Sequence, residues 1–197
     1  MPVTPIDLLS ALIFGYVLGS IPFGVILTRM AGAGNLYEIG SGGTGATNVL
    51  RTGRKGLAAA TLLLDLAKGA AVVLIARAIW PGTEHWAGLA AVVGHCLPIW
   101  LRFRGGKGVA TLMGVALGLA WPIGLVFAVV WLGMLAITRI SSAGGMSAAI
   151  SAPIAAFFMG WPHYALALAI MAALVLWRHR ANIQRLIAGT EPRVGKK

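Results

Sequence analysis

The residues best suited to chemistry lie in two glycine-dense, basic stretches set between apolar runs. The first is Gly40-Ser41-Gly42-Gly43-Thr44-Gly45-Ala46-Thr47-Asn48-Val49-Leu50-Arg51. Glycines reach left-handed backbone and leave N–H groups uncovered, so such a segment can curl into a nest of donors around an anion. Ser41, Thr44, Thr47 and Asn48 add side-chain donors. A helix beginning near Thr47 puts Asn48 and Arg51 on one face, and an Arg just after a glycine nest suits a phosphate clamp. The second stretch is Phe103-Arg104-Gly105-Gly106-Lys107-Gly108-Val109-Ala110-Thr111, with His95 about two helical turns upstream. Two anion-binding loops among apolar runs predict chemistry on phosphates at a bilayer surface.

Familiar nucleotide motifs do not account for these loops. Gly40 to Gly45 matches G-x-G-x-x-G, but no strand precedes it and no βαβ unit follows. The second stretch has Leu101 where a Walker A motif has its first Gly, and Gly108 where Ser or Thr is required. A topogenic basic loop explains Arg102, Arg104 and Lys107 but not Gly105, Gly106 and Gly108 around one lysine. Ser141 and Ser142, followed by Gly144 and Gly145, form a third candidate hydrogen-bonding loop. From Trp177 to Glu191, Arg178, Asn182 and Arg185 stand at i, i+4 and i+7 beside His179, a donor-rich strip on one helix face that Gly189 would cap. Asp65 and Lys68, at i and i+3 inside an apolar run, are either a structural ion pair or a wall of the site. No carboxylate cluster or His/Cys spacing suits a metal.

The elements that must position these groups are transmembrane helices. Of 197 residues, 58% are hydrophobic and only 11% charged, against about a quarter charged in soluble domains. An all-α integral membrane protein follows, with residues 1–197 forming a single polytopic domain. About seven transmembrane helices are expected, near Ile6–Leu27, Leu57–Trp80, Trp86–Leu101, Val109–Ala120, Ile123–Ile137, Ser147–Met159 and Tyr164–Trp177. The start lacks a basic n-region and reads as a retained first span, not a cleaved signal peptide. With the N-terminus outside and the C-terminus cytoplasmic, nearly all Arg and Lys fall inside and only Arg77 lies near the outer face. The motif loops, about 29–56, 102–108, 138–146 and 178–197, are then all cytoplasmic. The net charge of +11 reflects topology and anionic lipid, not nucleic acid. The single Cys96 precludes an internal disulfide. Arg193 to Lys197 reads as a frayed basic tail on anionic lipid.

The chain resembles the bacterial acyl-phosphate:glycerol-3-phosphate acyltransferases of the PlsY type over almost its whole length. The likeness rests on several motifs in order: Gly19-Ser20-Ile21-Pro22-Phe23-Gly24, then Gly40-Ser41-Gly42 with Gly45-Ala46-Thr47-Asn48-Val49 and Arg51, then Leu64-Asp65-Leu66-Ala67-Lys68-Gly69. Gly94-His95 with Pro98, Phe103 to Thr111, Arg178-His179, Asn182-Ile183, Arg185-Leu186, Gly189 and Glu191 complete it. Members commonly carry Ser-Leu-Ala-Ser near the sixth segment; here Ser142-Ala143-Gly144-Gly145 stands there without the second Ser. The resemblance implies a multi-pass enzyme of the bacterial inner (cytoplasmic) membrane with its active site on the cytoplasmic side. It implies acyl transfer from acyl phosphate to the 1-hydroxyl of sn-glycerol 3-phosphate, giving lysophosphatidic acid and phosphate, an early step of phospholipid synthesis. A soluble or peripheral acyl-phosphate synthase stands as the candidate partner, and no cofactor is expected.

Such a reaction must neutralise two phosphates and present an acyl chain to lipid. Arg51, Lys107 and Arg178 supply charge, and Gly42, Gly45, Gly105, Gly106 and Gly108 supply backbone N–H groups. Ser41, Ser142, Thr47, Asn48 and Asn182 orient hydroxyl and phosphate. His95 is the first candidate base and His179 the second; an oxygen of the donor phosphate is the alternative. Ser41, Arg51, His95 and Lys107 are thus expected to act in catalysis, and the others named to bind substrate. Thioester-dependent glycerol-3-phosphate acyltransferases typically carry an H-x-x-x-x-D pair. Here Ala90, Trp100, Leu168 and Gln184 stand five places after the four histidines, which favours acyl phosphate. An anion or phosphate channel remains as the other class, but it would want charge at mid-membrane or on both sides, and here the motifs crowd one face.

Overall fold

The computed structural model describes residues 2–195, and these residues form ten α-helices and two 3-10 turns. Helix α1 (Pro5–Gly19) opens on a capping box: the Thr4 backbone N–H donates to Asp7 Oδ2 at 3.1 Å and the Asp7 N–H donates to Thr4 Oγ1 at 3.2 Å. Pro22, which lacks an N–H, sits at the break before α2 (Phe23–Met30). Then follow α3 (Ala46–Leu50), α4 (Lys55–Ile79), α5 (Glu84–Cys96), α6 (Val109–Leu119), α7 (Trp121–Thr138), α8 (Ser141–Phe158), α9 (Pro162–Arg178) and α10 (Arg180–Ile187).

Helix is present at each of the seven expected spans, but not always at spanning length. Four units are long and apolar enough to cross a membrane: Pro5–Met30, α4, α7 and α8. The pair α9 and α10, bent by 61°, makes up to five. Helices α5 and α6 have 13 and 11 residues, short of the roughly 20 that a crossing needs. Two expected loops also differ. The 138–146 segment is mostly helix, because α8 begins at Ser141 directly after Arg139 turns the chain at φ 60°. The 178–197 segment contains α10, and the bend at His179 separates Arg178 from Asn182 and Arg185, so these three do not share one continuous helix face.

Small residues decide which helices meet. Within lipid, apolar side chains gain little by burial, so close backbone packing must hold helices together. Gly15 and Gly19 of α1 lie so near Ala87 and Ala91 of α5 that a methyl at either glycine would strike the facing carbonyl. Gly69 of α4 meets Thr111, and Gly114 of α6 meets Leu66, in the same way. The main core sits between α4, α5, α6, α7, α8 and α9, around Val73, Val92, Leu112, Val115, Phe127, Leu168 and Met171. Ile13, Leu63, Val129, Ile154 and Phe158 are exposed on the outside, an apolar rim suited to lipid and costly in water. The packing gathers the α3 loop, the α5–α6 loop, the start of α8 and the α9–α10 junction around one cavity.

Candidate active site

The first glycine loop takes its shape from Asn48. Its Nδ2 donates to Leu36 O and Gly43 O, both at 2.9 Å. Its Oδ1 accepts from the Ser41 N–H and from Arg51 Nη1, both at 3.3 Å. Both amide donors are therefore turned into the loop. Asn48 was expected to bind substrate, but it lines the cavity as the hub of the loop and has no N–H left for a ligand. Gly40, at φ 54°, leaves room for the Arg51 guanidinium, which any side chain there would strike. Thr47 Oγ1 and Ser141 Oγ share a 3.1 Å hydrogen bond that ties α3 to α8.

The second loop is pinned between two helix ends. The Gly106 N–H donates to His95 O at 3.1 Å, capping α5. Arg178 donates from Nε to Gly106 O and from Nη2 to Gly105 O, each at 3.1 Å. Arg178 thus braces the loop from behind and does not line the cavity. A methyl on Gly105 would strike His95 O, and one on Gly106 would strike His95 Nε2. Lys107 donates to Asn182 Oδ1 at 2.6 Å, which leaves two of its three N–H bonds for an anion. Burial pushes the Lys107 ammonium down to about 8; Glu191 opposes this, while Arg185, Arg51 and Arg178 add to it.

Glu191 organises the third group and was absent from the expected site. Its Oε1 accepts from Ser142 Oγ at 2.6 Å and from Asn182 Nδ2 at 2.5 Å, and its Oε2 accepts from Arg185 Nε at 2.6 Å. Burial alone would raise its pKa, but these donors hold it below the ordinary carboxylate value. A chain of contacts therefore runs from Glu191 through Asn182 to Lys107. The signals for it in the sequence were a lone carboxylate two residues past Gly189, amid Arg and Asn donors, and its place among the residues that carry the family resemblance. The tail from Arg193 was expected to fray, yet the Val194 N–H donates to Arg139 O at 2.7 Å, and Arg193, Val194 and Gly195 line the cavity. Lys196 and Lys197 of that predicted tail lie outside the described residues.

His179 lies at the α9–α10 bend. Its Nδ1–H donates to Val175 O at 2.8 Å, so Nε2 carries the lone pair. Burial pushes its pKa to about 4, with Lys107 and Arg178 adding to the fall against the Val175 hydrogen bond and Glu191. The ring is neutral near pH 7 and enters the site as an acceptor.

These groups surround a cavity of about 590 Å³. Of the expected residues, Ser41, Gly45, Thr47, Asn48, Arg51, His95, Gly106, Lys107, Gly108, Ser142, His179 and Asn182 line it; Gly42, Gly105 and Arg178 do not. Leu50, Leu62, Val109 and Trp131 supply an apolar side. One chamber therefore offers Arg51 and Lys107 from different loops, Arg193 from the tail, neutral donors between them, and an apolar wall.

Residues 9–189 match the family model described as glycerol-3-phosphate acyltransferase. A glycerol-3-phosphate acyltransferase of Novosphingobium aromaticivorans is 67% identical over 192 residues, covering 98% of each chain. One from Mesorhizobium japonicum is 57% identical over 190 residues, covering 96% of this chain and 97% of the relative. Among solved structures, the glycerol 3-phosphate form of PlsY, an integral membrane glycerol 3-phosphate acyltransferase, superposes with a TM-score of 0.90 at 38% identity, covering 95% of this chain and 96% of the other. Its lysophosphatidic acid form gives a TM-score of 0.86 at 36% identity, with 95% of each chain covered. The family match runs through both glycine loops, the start of α8 and the α9–α10 junction, and the chain belongs to the glycerol-3-phosphate acyltransferase family.

Proposed function

We propose that the cavity transfers an acyl group from acyl phosphate to the 1-hydroxyl of glycerol 3-phosphate. The observation that carries this is the pairing of Arg51 and Lys107 within one chamber that also has an apolar wall. Two cations suit two phosphates, and Leu50, Leu62, Val109 and Trp131 suit an acyl chain. Ser41, the loop N–H groups and the remaining Asn182 N–H position the anions, and the Ser142 oxygen, its O–H given to Glu191, can accept from the substrate hydroxyl. The hydroxyl oxygen bonds to the acyl carbon, the carbon–oxygen bond to phosphate breaks, and phosphate leaves with both electrons of that bond. An acyl phosphate is already activated, so the protein supplies mainly orientation and charge. Two acceptors remain for the hydroxyl proton, His95 and an oxygen of the donor phosphate, since His179 is too weakly basic. The donor comes from a soluble or peripheral acyl-phosphate synthase.

Purified protein in vesicles free of that synthase is expected to make lysophosphatidic acid from acyl phosphate, and none from acyl-CoA or acyl-carrier protein. Turnover with acyl-CoA alone would overturn the assignment.

Lys107 gives the reaction a pH signature. Below about 8 its ammonium is charged in the substrate-free site. Above that, anion binding must take up a proton, so KM for glycerol 3-phosphate should rise about tenfold per pH unit. Lys107→Arg, which stays charged, should flatten the rise. A flat wild-type profile between pH 7.5 and 9.5, a span of about two pH units, would remove Lys107 from the anion site.

The chain is further proposed to cross the bacterial inner membrane seven times, with α5 and α6 as short, neighbour-covered crossings and the site facing the cytoplasm. The lopsided placement of Arg and Lys supports this. In a Cys96→Ala background, a Cys at position 43 or 105 should react only with reagent admitted to the cytoplasmic side. Labelling from the outside alone would reverse the layout.

A further inference from the structure

A buried polar cluster adjoins the cavity beside the second loop. Asp65 and Lys68 sit one turn apart on α4, and His95 is the penultimate residue of α5; all three are buried. Lys68 Nζ donates to Ile21 O at 2.8 Å and lies 3.0 Å from His95 Nδ1. Asp65 Oδ1 is 2.7 Å from the same nitrogen, an ion pair by distance though Oδ1 is not aligned for a hydrogen bond. That carboxylate oxygen is 3.5 Å from His95 Nδ1, beyond hydrogen-bond range. The bland interpretation is an ion pair that only satisfies itself. Such a pair is weak evidence of stabilisation in a buried setting, and it does not explain an imidazole nitrogen drawn against the ammonium.

The contact decides where the ring proton sits. A neutral imidazole carries one N–H. At Nδ1 that hydrogen would point at an ammonium 3.0 Å away, donor against donor. Nδ1 therefore accepts from Lys68, and the proton sits on Nε2. That nitrogen lies against Gly106, in a residue that lines the cavity, and among the described residues the ring's hydrogen bond to protein is made at Nδ1. We propose that Lys68, held in place by Asp65 and Ile21 O, is a positioning residue that fixes His95 as an Nε2–H hydrogen-bond donor to a phosphate oxygen in the cavity. The identity of that oxygen rests on the acyl-transfer reading; the tautomer does not. With its lone pair committed to Lys68, His95 is no base, and the hydroxyl proton leaves on the departing phosphate.

The test begins with 15N-histidine-labelled, substrate-free protein. His95 is assigned by subtracting the spectrum of His95→Gln, and protonated and unprotonated ring nitrogens separate widely in 15N shift. The expected result is Nε2 protonated and Nδ1 bare. Lys68→Met should turn the ring proton toward Asp65 and lower kcat about tenfold or more, the effect of losing one charge-assisted hydrogen bond. Asp65→Asn/Lys68→Met removes both charges and serves where the single variant does not fold. His95→Gln, whose amide N–H can stand where Nε2–H stands, should remain well above His95→Asn in kcat. A proton on Nδ1 in the wild-type spectrum overturns the proposal, as does His95→Gln falling as far as His95→Asn. Because the spectrum needs no substrate, it fails or succeeds independently of the choice of acyl donor.

Discussion

Replacing Arg51 by Lys is expected to cut turnover nearly as far as replacing it by Ala. The guanidinium lies over Gly40, where no side chain would leave it room, and donates from Nη1 to Asn48 Oδ1 at 3.3 Å. One edge of the planar fork is thereby held, and the rest faces the cavity. A lysine at the same place keeps the charge but loses the fork, the bond to Asn48 and the two-point grip on a phosphate. Losing one hydrogen bond to a charged group costs about 1.5–3 kcal/mol, roughly a ten- to hundredfold fall in rate. The measurement is kcat and KM for lysophosphatidic acid formation by both variants in the same vesicles. If Arg51→Lys keeps most of the activity, Arg51 supplies only charge to the cytoplasmic face.

The part of the site legible in the sequence is the part built from adjacent residues. A glycine loop that ends in a cation is written consecutively, so Ser41 to Arg51 and Gly105 to Gly108 could be found by spacing alone. Three features could not. Asn48 looked like a donor to substrate, but Leu36 O, twelve residues upstream, claims one of its amide hydrogens. Arg178 looked like a neighbour of Asn182, but that assumed one unbroken helix. The chain bends by 61° at His179 and sends Arg178 to the back of the second loop. Asp65 and Lys68 were visible as an intramembrane pair, but their link to His95 spans 27 residues from Lys68 and depends on how α4 and α5 pack. The fold follows the same rule. Apolar runs marked the helices at the seven expected spans but not α3 or α10, whereas the lengths of α5 and α6 are set by local backbone: Leu97 and Pro98 leave the helix after Cys96, and Ala120 is extended at φ −155°.

Glu191 is the residue whose loss should spread furthest, although no motif in the chain points to it as strongly as to Arg51. It joins the start of α8, the α10 helix and the tail by accepting from Ser142, Asn182 and Arg185 at once. Glu191→Ala would leave the Ser142 hydroxyl and one Asn182 N–H without their partner, and would free Asn182 to turn away from Lys107. The Arg185 arm counts for less, because its side chain is 37% exposed and solvent screens it. Two inward hydrogen bonds to a carboxylate, each worth about 1.5–3 kcal/mol and not strictly additive, predict a loss on the order of a hundredfold in kcat, with a lowered Tm. Glu191→Gln separates geometry from charge. Its Oε1 can still accept from Ser142 and Asn182, but its amide NH2 then faces Arg185 donor to donor. A loss nearer tenfold is expected, with Tm largely kept. Steady-state kinetics and thermal unfolding of both variants in one detergent give the answer. Wild-type turnover in Glu191→Ala would mean that Lys107 and Asn182 hold their places unaided, and that the carboxylate only ties down the tail.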